Sequence, residues 1–106
     1  MNFKARGDDL GLDESEYREL IDLFIESCGE DIQLLQKALA AGDSQEVIRC
    51  AHTIKGASSN LGLNEVSTAA GYIENLAPSA QWADLAHNVK LLKVRFEAIL
   101  AEVRLG

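Results

Sequence analysis

Apolar side chains recur at helical spacing along most of the chain. Tyr17, Leu20, Ile21 and Phe24 open the pattern, and Ile32, Leu35 and Leu39 continue it beyond Gly29. Residues three and four apart share one face of an α-helix, so this stretch predicts a long helix over 13–41. Gly29 marks the place where it would kink. Asp13 and Glu16 form a D-x-x-E capping pattern at its start. Gly42 suits the left-handed position after a helix end, and Asp43 with Glu46 caps a second helix. There Val47, Ala51, Ile54, Ser58 and Leu61 fall in one arc, the expected core face. Gly62 ends that helix. Asn64 is a suitable N-cap for a third, which carries Val66, Ala69, Ala70, Ile73 and Leu76 and stops at Pro78. Its Ala69-Ala70-Gly71 run would let a neighbouring helix come close. The fourth pattern is the clearest. Trp82, Leu85, Val89, Leu92, Phe96, Ile99 and Val103 alternate spacings of three and four, an a/d seam suited to a bundle.

No stretch alternates in the manner of a strand, and neither Asn-Gly nor Asp-Gly occurs as a hairpin signal. Four helices with short turns predict an all-α protein, an antiparallel up-down-up-down four-helix bundle. Residues 1–12 mix glycines and charges without a period, so a loose or short-helical N-terminal lead-in is expected before a bundle domain over 13–106.

Composition adds exclusions. A chain of 106 residues holds one core. Its net charge of -7 argues against nucleic acid and against an anionic membrane surface as partners. No apolar run approaches the roughly 20 residues of a membrane span, and the N-terminus lacks the apolar core of a signal peptide. A cytoplasmic protein is expected, with Cys28 and Cys50 as partly buried free thiols. The initial methionine and full helical set suggest a standalone protein, and one closed bundle suggests a monomer.

The candidate chemistry lies at residues 51–62, AHTIKGASSNLG. His52 is about 140° from Val47 on the helical wheel, so it points away from the core face. Lys55 and Ser59 share its side, and Gly56 sits one turn further on. An imidazole keeps a neutral, nucleophilic fraction near neutral pH. Lys55 would steady an incoming anion, and Ser59 would offer a hydrogen bond. Gly56 costs the helix about 1 kcal/mol relative to alanine. Its missing side chain leaves a notch beside His52, useful only if another protein presses against this helix. Arg49, one turn before His52, would add positive charge or simply be an exposed helix residue. His87 lies about 200° from Leu85 and reads as a surface residue.

The run Ala51-His52-Thr53-Ile54-Lys55-Gly56 through Leu61-Gly62 resembles the signature of histidine-containing phosphotransfer (HPt) domains. The capping pattern at Asp43, the third helix ending Tyr72-Ile73-Glu74-Asn75-Leu76 and the fourth apolar helix are similar to that family's layout. The likeness runs from about residue 13 to about 103. It implies a phosphorelay carrier in two-component signalling rather than an enzyme in the usual sense. Its expected partners are response-regulator receiver domains and a hybrid sensor histidine kinase. His52 would accept the phosphoryl group through Nε2, with Lys55 as the neighbouring cation and Gly56 as the space for the receiver. The receiver would supply the aspartate and Mg2+, so no cofactor is expected on this chain, whose docking face would draw its apolar part from residues near His52 on the second helix and from the first helix and the lead-in. The family often places glutamine or another polar residue 22 positions after the histidine. Here that position is Glu74, either an orienting partner for Nδ1 or a solvated carboxylate.

Other readings are weighed against this one. The kinase-fed phospho-accepting domain of a chemotaxis-type histidine kinase has a very similar motif. The dimerisation domain of an ordinary histidine kinase carries an acidic residue, then arginine and proline, after its histidine, and AHTIKGA lacks these. A non-catalytic helical adaptor or a metal-binding bundle belongs to another class. No Glu-x-x-His occurs at His52 or His87, because Arg49 and Asp84 occupy those positions.

Overall fold

Among its described residues the computed structural model has five helices and one 3₁₀ turn: α1 Phe3–Asp9, α2 Glu14–Ala41, α3 Ser44–Asn60, α4 Asn64–Leu76, the turn Ala77–Ser79, and α5 Trp82–Leu105. The structure describes residues 1–79 and 81–105. Ala80 and Gly106, the latter the expected last residue of the bundle domain, lie outside the described residues.

Each boundary has a local cause. Asp13 accepts from the Glu16 backbone N–H and Glu16 answers at the Asp13 N–H, so the predicted capping box closes α2 at its start. Gly42 ends α2 with φ 67°, a left-handed conformation that a Cβ would disfavour. Asp43 caps α3 by accepting from the Glu46 N–H. The start of α4 differs from expectation. Leu63 holds the cap position, and Asn64 is already the first helical residue with no side-chain cap bond. Leu63 is buried, so a core contact anchors this end in place of a capping side chain. α2 runs unbroken past Gly29, whose missing Cβ faces the ring of Phe96.

The helix directions follow from contacts between helices. Tyr17, early in α2, donates its hydroxyl to the Leu61 carbonyl at the end of α3, 2.8 Å away. Ser67, early in α4, donates to the Lys55 carbonyl, while Glu74, late in α4, reaches back to His52. Glu65 pairs with Arg95 of α5. Phe24 of α2 meets Phe96 of α5 edge to face, 6.3 Å between centroids. Successive long helices therefore run antiparallel and α5 closes the ring against α2, giving a bundle of 42 × 22 × 17 Å.

The core holds the seam expected of α5 from Leu85 to Ile99, with Trp82 and Val103 half-buried at its ends. Val47, Ala51, Ile54 and Ser58 of α3 are fully buried, and Leu61 is half-buried. The Ser58 hydroxyl donates to the Ile54 carbonyl at 2.6 Å, so this core hydroxyl is satisfied within its own helix. The lead-in takes the short-helical form. Phe3 joins the core, and Gly7 lets α1 lie close, since a Cβ there would meet the Leu12 carbonyl oxygen at 2.8 Å. One apolar expectation fails: Leu20 belongs to the helical pattern of α2 yet is 38% exposed.

Both thiols are buried more completely than expected. Burial, with help from nearby Asp31, pushes the Cys28 thiol up to about 12, and burial also raises that of Cys50. The thiolate is the reactive form, so the native protein should leave an aromatic disulfide reagent unreacted over minutes at pH 8. Unfolding in guanidinium should release both thiols to it. Reaction of the native protein at the rate of free cysteine would contradict this packing.

Candidate functional site

α3 carries the predicted site on its outer face. Its core arc is fixed by Val47, Ala51, Ile54 and Ser58, which rotates His52 into solvent with 73% of its side chain exposed. Nδ1 of His52 lies 2.6 Å from Oε2 of Glu74 on α4. A carboxylate only accepts, so Nδ1 donates to it, and in the neutral ring Nε2 is the nitrogen that holds the lone pair. The other oxygen of Glu74, Oε1, accepts from Lys55 Nζ at 3.3 Å. One carboxylate thus bridges the imidazole and the cation that sequence placed on the same face. Glu74 is itself the least exposed of the three, at 21% of its side chain. The bond from His52 holds its carboxyl below the usual carboxylate range, with Lys55 adding to the effect against partial desolvation.

The packing of α3 on α4 makes this bridge possible. Ala70 of α4 is fully buried. Gly71 sits under the Lys55 stem, where an added Cβ would lie 3.8 Å from Cδ. Ser67 holds the Lys55 carbonyl from the same helix. Sequence reading passed over Gly71 and Ser67 as site residues; the small-residue run at Ala69-Ala70-Gly71 was the available signal.

The remaining predicted residues have clear positions. Gly56 is exposed, and a Cβ built there meets no atom within 4 Å, so the surface beside His52 is open. Ser59 is exposed on the same face, two turns from His52, and its hydroxyl makes no hydrogen bond among the described residues. The structure does not bring it to the imidazole. Arg49 is engaged elsewhere: its guanidinium pairs with Glu46 on its own helix, so it adds little positive surface beside His52. His87 is exposed on α5. Among the described residues, no cluster of His, Cys, Asp or Glu side chains is placed to hold a metal ion, and no helix is long and apolar enough to cross a membrane.

On the α2 side of Gly56 the surface turns apolar. Leu20, Leu23, Phe24 and Ser27 of α2 line a groove with Ala57 and Leu61 of α3. Leu23 is 63% exposed. Which residues form this groove was not legible in the sequence.

The lowered carboxyl of Glu74 fixes a pH dependence. A carboxylate with a depressed folded-state pKa contributes stability above its unfolded value and loses it as pH falls through the folded value. The His52–Glu74 bond should therefore persist through neutral pH and disappear in acid, below the usual carboxylate range. The ring nitrogens of His52, followed by NMR, should show a proton fixed on Nδ1 near neutrality in the native protein. Exchange between both tautomers there would contradict the geometry.

The comparisons with known proteins agree with this arrangement. The family model described as the Hpt domain matches residues 19–105. The crystal structure of histidine-containing phosphotransfer protein B (HptB) from Pseudomonas aeruginosa PAO1 superposes with a TM-score of 0.80 at 27% identity. The likeness covers 86% of this chain and 79% of that one. No curated protein matches the sequence. With an outward histidine on the second long helix of an antiparallel bundle, and a family match spanning the bundle, the chain belongs to the Hpt domain family and is a phosphocarrier of two-component phosphorelays.

Proposed function

We propose that His52 is the residue that carries the phosphoryl group, received from and returned to the phospho-aspartate of receiver domains. The observation that carries this reading is the exposed His52 ring whose Nδ1 is held by Glu74 at 2.6 Å, with Nε2 left as the nucleophile.

In the forward step Nε2 attacks phosphorus in line with the acyl phosphate bond. The N–P bond forms as the P–O bond to the aspartate breaks, and its electron pair leaves on the aspartate carboxylate. Nδ1 keeps its proton. The ring becomes positive as its lone pair is drawn into the new bond, and the Glu74 carboxylate offsets that charge where it develops. Lys55 leaves Glu74 to meet the phosphoryl oxygens, within the reach of its flexible stem. Return transfer is the same path reversed. The receiver brings the aspartate and Mg2+, so this chain contributes a nucleophile and a docking face and no cofactor of its own. The docking face is the open surface at Gly56 together with the α2–α3 groove. The protein acts as a cytoplasmic monomer between a hybrid sensor kinase and a response regulator.

Glu74→Gln separates orientation from charge. The amide oxygen still accepts from Nδ1, but the offsetting charge is gone. Transfer should slow about tenfold, and Glu74→Ala should slow it further, the size of effect expected for losing a charge-assisted hydrogen bond of about 1.5 kcal/mol or more. An unchanged rate in both variants would remove Glu74 from the site.

The reading is tested by mixing the protein with receiver domains charged on aspartate with labelled phosphate. Label should appear on the protein, lost in acid and stable in alkali. Label arriving only from an ATP-charged kinase domain, and from no receiver, would replace this reading with the kinase-fed one.

A further inference from the structure

The outer face of α2 carries a charge pattern that the transfer chemistry does not use. Glu19, Asp22, Glu26 and Glu30 are all exposed and follow at spacings of three and four, so they form one stripe along the helix. None of the four makes an ion pair among the described residues. Glu26 and Glu30 themselves line the groove together with Leu20 and Leu23. On the wheel the stripe lies on the far side of Leu20 from α3, turned from it by about 80° to 160°. Crossing the surface from α3 to α2 therefore gives a fixed order. The cation and imidazole at Lys55 and His52 come first, then the open ground at Gly56, then the apolar groove, then an unpaired acidic edge.

A partner that covers this face must match each zone. Opposite His52 it needs the acidic phosphorylation pocket of a receiver, and over the groove it needs apolar side chains. Over the stripe, carboxylates on the partner would be repelled and lysines or arginines attracted. We propose that this edge makes the chain selective for receiver domains with basic side chains beyond the apolar centre of their contact surface. The inference rests on the receiver-fed reading and adds the charge of the partner that the site accepts. The acidic edge raises the rate of productive encounter with such receivers and lowers it for receivers acidic there.

The test uses the full chain and a set of receiver domains phosphorylated with acetyl phosphate, sorted by the charge of the surface around their aspartate. Initial transfer rates to the native protein should rank with positive charge, and the fastest should fall steeply between 20 and 200 mM salt, about tenfold or more. Glu19→Lys/Asp22→Lys, at the two stripe positions that do not line the groove, should slow the basic receivers at least about tenfold, flatten or invert their salt dependence, and speed the acidic ones. The same variant should label at the native rate with phosphoramidate, a small donor that needs no docking, which shows His52 intact. Native ranking and salt dependence retained by the variant would overturn the inference while leaving the receiver-fed reading standing. Failure of every receiver to label the native protein, with phosphoramidate still effective, would overturn both.

Discussion

His52→Gln should reduce transfer from phospho-receivers to background while the bundle remains as stable as the native protein. Under the proposed roles, no other side chain on this face offers a nucleophilic nitrogen with its second nitrogen already occupied. The loss should therefore be complete within detection, far beyond a tenfold effect. Stability should change little because the ring is 73% exposed and its one partner, Glu74, retains Lys55. Substitutions at such surface positions typically stay within about 0.5 kcal/mol. Circular dichroism and thermal melting check the second half of this expectation, and acid-labile labelling checks the first. Residual alkali-stable label on the variant would mean that another residue takes the phosphate.

Gly56→Glu should move stability and function in opposite directions. The position is helical and exposed, and a Cβ there meets nothing. Glycine in a helix interior costs about 1 kcal/mol relative to alanine, so most substitutions should raise the melting temperature by a few degrees. Yet a longer side chain fills the open ground between His52 and the α2–α3 groove, where a receiver must seat. Transfer should fall about a hundredfold. Gly56→Gln should behave nearly as Gly56→Glu, because the obstruction is steric and not mainly charge. Gly56→Ala should gain stability with a smaller loss of rate. Native transfer by Gly56→Glu would show that this ground is not covered in the complex.

The bundle was largely legible in the chain because its helices bury one stripe each. Leu85, Val89, Leu92, Phe96 and Ile99 declare α5 by spacing alone, and all five are buried. α1 was less clear because its buried residues are only Phe3 and Gly7, too few to set a period. Its docking depends on Tyr17, whose ring lies 6.5 Å from that of Phe3. The face shared by His52, Lys55 and Gly56 could be drawn from the wheel, since all three lie on one helix. The bridge through Glu74 could not. It depends on the depth and register with which α4 lies on α3, which Ala70 and Gly71 permit by being small. The groove at Leu20 and Leu23 escaped for the opposite reason. Leu20 belongs to the periodic pattern and reads as core, Leu23 lies outside that pattern, and only packing shows that both stay partly uncovered beside α3.

The bond between Glu74 and Nδ1 has a consequence for the identity of the product. Imidazole has two nitrogens of similar intrinsic reactivity, and a phosphoryl donor in solution can meet either. Here the carboxylate serves as a protecting group supplied by a neighbouring helix: it masks one nitrogen and leaves its twin bare. Under the proposed roles the phosphorylated protein is therefore a single regioisomer, and every receiver meets the phosphorus at the same place and angle. Fidelity of the relay at the level of one atom thus derives from how closely two helices pack.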